Sequence, residues 1–450
     1  MTEQFKFVII ITAVKNMPVP EPGDPYQLII IHSLSGVEEK IITDEAQTAI
    51  DIISRLASQS TTKNILFISE EDKFDMQELK AVVQQFYINT PDRGFSLFIP
   101  YKEPPTPILE KQDTPKYVQR EDGFVHSFLV SASHFDALVC LQHFNNWTRL
   151  AYEFLQTYLN SQESNNIEIF QVGKKEPVNE SGMVDPDLLR RSLMVIPHKD
   201  SLNLLTRCLH HLNQVEYLPD TINLCFDDDG YAQLNTDNYN NLKERIKIYI
   251  NSPDNVGPYP PRHYSILNTD KDYIFFQDSD DIPVAGRFEK QLAALQNRDL
   301  DMIGSHELRI DEFAQALMII RFPMDASASL AAQCFHPLYH PTALITKTAY
   351  LKTGGFSTNL RFGYDSQFLL RSHFFLKIGN IDDFLYLRFK RPNSLTTDPK
   401  TRIGSNLRAL LIWRWTVDFR LVMENKINLE DSSLGVMKHP FDYTLTEYNK

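Results

Sequence analysis

The sequence predicts an α/β protein built on mostly parallel strands that helices cover on both faces. Short apolar runs rich in β-branched and aromatic residues recur along the whole chain. Stretches with helical periodicity separate many of these runs, and such alternation favours a parallel sheet between layers of helices. In the second half of the chain, two of the runs end in clusters of carboxylates, as is typical of the ligand-binding edge of an open α/β sheet.

The composition is that of a globular protein of 450 residues, enough for two or three domains. Its formal net charge of −13 disfavours nonspecific binding to nucleic acid or to an anionic membrane, although a local basic patch is compatible with it. The four cysteines form no C-x-x-C pair, which argues against a zinc site or a disulfide framework and indicates a reducing compartment. No signal peptide is recognisable and no apolar run is long enough to span a bilayer, so we expect a cytoplasmic protein.

The sequence divides at a polar segment around residues 173–182 that carries Gly and Pro. We therefore predict an N-terminal α/β domain at 1–175, a linker at 176–189, a second domain at 190–400 and a helical extension at 401–450. In the first domain, strand-like runs occur at 7–12, 27–32, 64–68 and 124–130, and helical periodicity at 43–56, 76–86 and 147–159. A segment rich in Pro, Lys, Glu and Gln at 100–122 predicts an exposed loop.

An acidic cluster follows the strand predicted at Tyr273–Phe276. Asp278, Asp280 and Asp281 stand between this strand and a helix that begins after Pro283. Acids crowded at the end of a buried strand repel one another unless something neutralises them, and a Mg²⁺ or Mn²⁺ ion bound to a diphosphate is the candidate. The alternative is a solvated acidic turn, because isolated Asp-x-Asp pairs are common in an acidic chain.

Six short motifs occur along the second domain. They are Val195-Ile-Pro-His-Lys199, Phe226-Asp-Asp-Asp-Gly230, Asp254-Asn-Val-Gly257 with Arg262, Asp278-Ser-Asp-Asp281, Gly354-Gly-Phe356 with Tyr364-Asp365, and Arg391-Pro-Asn-Ser-Leu-Thr396. In this order and at this spacing, residues 190–400 resemble the family 2 glycosyltransferases, which have a GT-A fold. Two positions depart from the family pattern, since Tyr231 replaces a serine and Tyr364 replaces a glutamate.

The resemblance implies an inverting, metal-dependent transfer of a sugar from a nucleotide diphosphate, most often UDP, to a carbohydrate or lipid-linked acceptor in surface polysaccharide synthesis. It implies that Asp365 is the catalytic base and that Asp280, with Asp278 nearby, holds Mn²⁺ or Mg²⁺. The implied donor-binding residues are Pro197, Asp228, Asp229, Arg262, Asp278 and Asp280. A lipid-linked acceptor would also bring the protein to a membrane surface.

Several of these residues have simpler interpretations. Asp365 could cap the helix that follows it, and Arg262 could be a surface arginine. His336 and His340 precede a strand-like run, where one of them could reach the metal or the acceptor, although a structural role is more usual. The helix predicted over 404–423 could face lipid, but aromatic residues in such a helix are more often packed on the domain.

The first domain could be a degenerate copy of the second. Residues 64–75 align with the strand and acidic cluster described above, and residues 124–158 align with 338–372. The second alignment places Ala151 at the position of Asp365. We therefore expect a GT-A-like domain without catalytic residues, used for acceptor binding or assembly. The alternative is an unrelated α/β domain, since alternating patterns align readily by chance.

Two other classes of function stay open. A nucleotide-sugar or glycan-binding protein without transfer activity would account for Tyr231 and Tyr364, but such a protein has no need of a base at Asp365. A nucleotidyltransferase also uses paired acids, yet these enzymes usually carry a glycine-rich, basic loop near the first strand. Residues 195–200 contain no glycine, so this sequence favours the glycosyltransferase.

Overall fold

The structure is a computed structural model of the chain. The residues that it describes are 7–12, 27–31, 38–42, 64–69, 95–105, 116–117, 120–124, 127–131, 150–160, 167–172, 185–332, 334–438 and 442–448. The helices predicted over 43–56 and 76–86 lie outside these residues, as does most of the predicted linker. The chain forms two compact units, and the predicted domain boundaries stay a prediction. One unit consists of 1–103, 123–176 and 310–319, and the other of 104–122, 177–309 and 320–450.

The first part of the chain contributes nine strands and one helix among the described residues. They are β1 Phe7–Thr12, β2 Gln27–Ile31, β3 Glu38–Ile42, β4 Asn64–Ser69, β5 Phe95–Pro100, β6 Lys116–Tyr117, β7 Arg120–Phe124, β8 Ser127–Ser131, α1 Leu150–Leu159 and β9 Ile167–Val172. Seven of the strands form a sheet in the order β3-β2-β1-β4-β8-β5-β9. The single strand predicted over 124–130 is therefore two strands.

The elements that follow along the chain belong mainly to the second unit. The strands are β10 Ser192–His198, β11 Thr221–Phe226, β12 Ile246–Ser252, β13 Tyr273–Phe276, β14 Ile282–Pro283, β15 Met302–Asp311, β16 Ala316–Arg321, β17 Cys334–Phe335, β18 Leu344–Thr346, β19 Ile378–Lys390 and β20 Thr444–Glu447. The α-helices are α2 Pro186–Arg190, α3 Leu202–Asn213, α4 Tyr259–Leu267, α5 Arg287–Asn297, α6 Ala326–Ala331, α7 Lys347–Lys352, α8 Tyr364–Ser372 and α9 Asn406–Met423. No helix among the described residues combines the length and apolar character needed to cross a membrane.

Four parallel strands form the centre of the second unit's sheet, in the order β13-β10-β11-β12. Alternate residues of β10 enter different cores, because successive side chains of a strand point to opposite faces. Met194 and Ile196 join the core that also contains side chains of α3 and α5. Leu193 and Val195 join the core that contains side chains of α4, α8 and α9. The α/β class predicted for this region, with a parallel core and flanking helices, is confirmed; the outer strands β18 and β20 pair antiparallel.

The parallel arrangement places three chain segments at one edge of the sheet. β10 lies between β11 and β13, and parallel strands end at the same edge. His198 ends β10, Asp227 follows β11, and Asp278 comes shortly after β13. The acids of the two sequence motifs at 226–230 and 278–281 therefore lie on either side of one buried strand, β10.

The apolar periodicity of the sequence predicts a helix from Phe368 to Leu376, and helix α8 begins four residues before that start, at Tyr364. Gly363 is the N-cap of this helix and has a φ of +86°, a conformation that glycine adopts without strain. An added Cβ at Gly363 would also approach the ring of Trp415 to 3.1 Å. The start of α8 depends on the left-handed conformation of Gly363. The apolar periodicity used for the prediction does not reveal such a conformation.

The two sheets share a strand order. In the first, the strands lie in the order β3-β2-β1-β4-β8-β5, and in the second β12-β11-β10-β13-β18-β15. β4 pairs parallel with β1 and antiparallel with β8, as β13 does with β10 and β18. The sheets differ at one side, because β2 and β3 pair antiparallel whereas β11 and β12 pair parallel. Ala151 lies in α1, and Asp365 is the second residue of α8.

One buried arginine joins the acidic strand to a neighbouring turn. Arg287 is fully buried and donates hydrogen bonds to Gln277 Oε1, to the carbonyl oxygen of Phe276 at 2.7 Å and to that of Pro341 at 2.9 Å. Burial lowers the pKa of Arg287 to about 10, so the guanidinium stays charged at neutral pH. The Gln277 amide in turn donates to the carbonyl oxygens of Asp278 and Asp281.

Replacing Arg287 with Met should lower the free energy of unfolding of the second unit by about 3 kcal/mol or more, because buried acceptors lose their donor. Urea unfolding of the full chain measures this loss. The matched control is Arg191→Met. Arg191 is exposed, so the loss of its ion pair with Asp272 and of its contact with the Tyr273 ring should change little. Equal stability of the two variants would contradict the role given to Arg287.

Candidate active site

Three carboxylates meet in the loop after β13. The carboxylate oxygens of Asp278, Asp280 and Asp281 lie within 4.8 Å of one another. Burial raises the pKa of Asp281 well above its usual range, and the negative charges of Asp280 and Asp278 add to this shift. Burial also raises the pKa of Asp278, while Arg262 opposes the shift. Holding three acids this close costs free energy, so the loop favours a cation beside it.

Two arginines from distant parts of the chain bind these carboxylates. Arg262 on α4 is buried and contacts Asp278 Oδ1 at 2.5 Å through Nη2. Arg391, just after β19, contacts Asp280 Oδ2 at 2.8 Å through Nε. The Asp281 carboxylate is held differently, because its Oδ1 accepts a hydrogen bond from the backbone N–H of Phe389 at 2.8 Å. The acidic loop is thus fixed from two sides by α4 and by the end of β19.

An open cleft of about 580 Å³ lies at the carboxyl ends of β11 and β12. Its lining residues are Lys199, Asp227, Asp228, Asp229, Tyr231, Ile250, Asn251, Asp254 and Asn255. Two of the predicted donor-binding residues, Asp228 and Asp229, are therefore together in this cleft. Pro197, which pairs with Cys225 in the strand register, is not among the lining residues, nor are the acidic cluster and Arg262.

Asp227 helps to hold the cleft together, a role that the sequence analysis did not predict. This buried carboxylate accepts hydrogen bonds from Asn251 Nδ2 at 3.2 Å and from the backbone N–H groups of Val256 and Gly257 at 3.0 and 3.1 Å. It ties the loop after β12 to the end of β11. The neighbouring Asp228 accepts from the backbone N–H of Gly230 at 2.8 Å.

His198 lies between the cleft and the acidic cluster. Its Nδ1 is 3.1 Å from Ser279 Oγ, inside the Asp278–Asp281 loop. Burial lowers the pKa of His198, and the charges of Asp228 and Asp280 oppose that shift. Both groups of acids therefore act on one imidazole, which shows that the cleft and the cluster are parts of one electrostatic site.

Asp365 is connected to the acidic cluster through one turn of helix α4. Tyr259 Oη donates a hydrogen bond to Asp365 Oδ1 at 3.1 Å. Arg262, which contacts Asp278, follows Tyr259 by three residues and so lies on the same face of the helix. The N-cap of α8 is Gly363, so Asp365 does not cap this helix. Asp365 instead lies in the first turn of α8, where its negative charge also favours the helix N-terminus, so its role as the base stays a prediction.

Burial acts to raise the pKa of Asp365, but His340, Arg408 and His336 together outweigh it and hold the pKa below its usual value. Burial lowers the pKa of His340 to about 3 and also lowers that of His336. Both imidazoles are therefore neutral at pH 7. Of the three neighbours, Arg408 is the one that carries a permanent positive charge, and this charge favours the Asp365 carboxylate.

His340 is enclosed by aromatic rings. Its ring centroid lies 4.2 Å from that of Phe276 and 5.1 Å from that of Phe356. Both ring nitrogens are buried and have no hydrogen-bond partner among the described residues. This environment fits the structural interpretation of His340 better than direct metal binding, which needs an accessible ring nitrogen.

Tyr259, Arg391 and Arg408 are further residues of the site that had no role in the sequence analysis. Arg391 was part of a quoted motif, but nothing in that motif shows which carboxylate it contacts. Arg408 is one arginine in an apolar helix, and such a residue is a signal for a buried ion pair. The structure places it by hydrogen bonds to the carbonyl oxygens of Thr401 at 2.8 Å and Leu395 at 3.2 Å.

Comparison with known proteins identifies the segment that carries the site. Residues 194–359 match the model of glycosyl transferase family 2. This segment belongs to glycosyl transferase family 2. A curated relative, the O-antigen biosynthesis glycosyltransferase WbnJ of Escherichia coli, is 26% identical over 119 residues. That match covers 26% of this chain and 46% of the relative, so the chain spans less than half the length of that protein.

Solved structures of glycosyltransferases overlap the chain more loosely. Residues 1–349 of S. aureus TarS in complex with UDP-GlcNAc align with a TM-score of 0.37 at 16% identity, covering 53% of this chain and 77% of that one. Mannosyltransferase PcManGT from Pyrobaculum calidifontis, in complex with GDP-Man and Mn²⁺, aligns with a TM-score of 0.38 at 11% identity, covering 63% and 72%. Neither overlap is close, so the family assignment depends on the matched segment.

Replacing Arg408 with Gln should raise the pKa of Asp365, because a cation that favours the carboxylate is lost. The folded-state pKa of Asp365 is depressed, so its ionisation stabilises the fold above its unfolded pKa, and this contribution is lost as the pH falls through the folded pKa. A double-mutant cycle of Asp365→Asn and Arg408→Gln should give about 1–2 kcal/mol of coupling at pH 7 and less in acid.

The control for this cycle is Arg414→Gln, an exposed arginine of the same helix, which should show no coupling to Asp365. Urea unfolding at neutral and acidic pH supplies the four free energies. Coupling that is absent, or that is equally large at both pH values, would contradict an electrostatic effect of Arg408 on Asp365.

Proposed function

We propose that the chain is an inverting, metal-dependent glycosyltransferase that transfers a sugar from a nucleotide-diphosphate donor, with a UDP-sugar as the expected donor. The observation that carries the proposal is the cluster of Asp278, Asp280 and Asp281 at the end of a buried parallel strand, inside the segment that matches family 2. The cleft with Asp228 and Asp229 lies at the same edge of the sheet.

The cleft is the proposed site for the nucleoside of the donor. Carboxylates such as Asp228 and Asp229 accept hydrogen bonds from ribose hydroxyls and from base N–H groups. Pro197 would contribute main chain beside this pocket, on the strand between the two groups of acids. The diphosphate would then extend past His198 toward Asp280, where the proposed cation lies.

The acidic cluster fits a hard divalent cation. Carboxylate oxygens are the ligands that Mg²⁺ and Mn²⁺ prefer, and three such groups lie within 4.8 Å of one another. When bound at Asp280 and Asp278, the ion would neutralise the charge of the leaving diphosphate as a Lewis acid. Arg262 holds Asp278 in position, and Arg391 lies beside Asp280, where its guanidinium can also contact a phosphate.

Asp365 is the proposed general base. It takes the proton from the acceptor hydroxyl while the acceptor oxygen bonds to the anomeric carbon and the bond from that carbon to the diphosphate breaks. A single displacement of this kind inverts the configuration. Because the pKa of Asp365 is held below its usual value, with His340 and Arg408 among the causes, the base is in its active protonation state at neutral pH. The hydrogen bond from Tyr259 fixes one oxygen and so orients the carboxylate.

The acceptor is proposed to be a glycan or a lipid-linked sugar of a surface polysaccharide. The name of the curated relative, an O-antigen biosynthesis glycosyltransferase, supports this class of acceptor. A cytoplasmic location stays a prediction. The alternative is a nucleotide-sugar or glycan-binding protein without transfer activity. Tyr364 is relevant to this alternative because it departs from the family pattern. This tyrosine is buried, donates to Asn359 and packs on Trp415, so it has a packing role in place of the glutamate of the family.

We further propose that the first unit is a GT-A-like copy without catalytic function. The shared strand order of the two sheets supports this proposal, and Ala151, which the sequence aligns with Asp365, lies in a helix of the first unit. An alanine can neither take a proton nor bind a metal. A chain with one active copy should bind one nucleotide, which makes the binding stoichiometry a test of this idea.

Nucleotide binding should depend on the acidic cluster. By calorimetry with UDP, GDP and dTDP, we expect one nucleotide to bind at one site per chain in the presence of Mn²⁺, and Asp280→Asn should weaken it by about tenfold or more, about 1.4 kcal/mol. The matched control is Asp299→Asn. Asp299 belongs to a different Asp-x-Asp sequence, is exposed, and forms an ion pair with Lys377. Binding of none of these nucleotides would favour the glycan-binding alternative.

Replacing Asp365 with Asn should lower kcat by about 10²–10⁴-fold and leave the donor Kd nearly unchanged, because the base acts on the acceptor. Release of nucleoside diphosphate from the donor identified by calorimetry, with water as the acceptor, measures the rate. The exposed Asp299→Asn variant again serves as the control. A variant Asp365→Asn with the parent rate would remove Asp365 from the mechanism.

A further inference from the structure

Helix α9 (Asn406–Met423) presents two different faces. One face is buried against the second unit, through Arg408, Trp415 and Phe419. The Trp415 ring lies 6.1 Å from the ring of Tyr364, beside the proposed base. These contacts anchor the helix, so its opposite face is not needed to hold the helix on the protein.

Large apolar side chains occupy the opposite face. Leu407, Leu410 and Trp413 are 50%, 58% and 62% exposed, and Ile403, just before the helix, is 64% exposed. Their spacing of three and four residues places them along one side of the helix. We call these four residues the apolar stripe. Single exposed apolar residues are ordinary, but a contiguous set of them marks an interaction surface.

The charge around the apolar stripe is opposite to that of the whole chain. Residues 399–417 contain four basic and no acidic residues, whereas the chain has a formal net charge of −13. Lys400, Arg402 and Arg414 are exposed near the stripe. Leucines and a tryptophan surrounded by lysine and arginine are typical of helices that lie in the interface of an anionic membrane. This complementarity favours a lipid surface over an acidic or neutral groove.

We propose that the apolar stripe docks the protein on an anionic lipid bilayer. Leu407, Leu410 and Trp413 enter the headgroup region, and the basic side chains contact lipid phosphates. The helix lies on the membrane and does not cross it. Since the inner face of the same helix packs Trp415 against Tyr364, the residue before Asp365, docking places the proposed acceptor site at the lipid surface. Vesicle binding does not need the proposed chemistry, so the two proposals can fail separately.

Co-sedimentation of the full chain with vesicles, without nucleotide, tests the docking. We expect binding to vesicles of phosphatidylglycerol and phosphatidylcholine in roughly a one-to-two ratio, and much weaker binding to phosphatidylcholine alone. Replacing Leu407, Leu410 and Trp413 together with Ser should weaken binding by about tenfold or more. The double variant Arg402→Glu and Arg414→Glu should weaken binding to the anionic vesicles and make it less sensitive to salt.

The control is Leu351→Ser, which removes a leucine that is 46% exposed on α7, and it should bind vesicles as the parent does. Circular dichroism and UDP binding check that the triple variant is folded. Failure of the parent to bind anionic vesicles, or equal binding by the triple variant, would overturn the proposal. A dimer of the parent in sedimentation velocity that the triple variant loses, without vesicle binding, would instead assign the stripe to a second copy of the chain.

Discussion

The repulsion among three carboxylates is the constraint on which the second unit depends. Asp281 is buried and Asp278 and Asp280 are half-buried, so water screens their mutual repulsion only in part. The fold offsets this repulsion with cations and backbone donors that arrive from three places, namely Arg262 on α4, Arg391 after β19 and the N–H of Phe389. Such an arrangement is costly unless the site binds a positive ligand, and this is the physical argument for a cation and its diphosphate.

Helix α4 joins the two halves of the proposed chemistry. One turn of it carries Tyr259, which contacts the proposed base Asp365, and Arg262, which contacts the proposed metal-site residue Asp278. A shift of this helix would therefore move the donor side and the acceptor side together. Asp227 supports the same region, because it holds the backbone of Val256 and Gly257 just before the helix begins.

The sequence predicted those elements that depend on residues close together in the chain. The strand at Tyr273–Phe276 and the acids after it are encoded locally by an apolar run and its abrupt end, and the start of the next helix at Arg287 is also where the pattern predicted it. The contacts of Arg391 and Arg408 were not predicted, since Arg391 reaches a carboxylate 111 positions earlier in the chain. Periodicity does not encode such long-range pairs. It also does not encode the left-handed Gly363, and this is why the start of α8 was misplaced.

The most direct test of the central claim is the dependence of Mn²⁺ binding on a diphosphate. Electron paramagnetic resonance can count bound Mn²⁺ in the presence of UDP or GDP and, separately, of UMP or GMP. The account predicts one bound Mn²⁺ per chain with a nucleoside diphosphate, and far weaker binding with the monophosphates, because the second phosphate completes the coordination of the ion at Asp280. Equal binding of Mn²⁺ with diphosphates and monophosphates would contradict a site built for the leaving diphosphate.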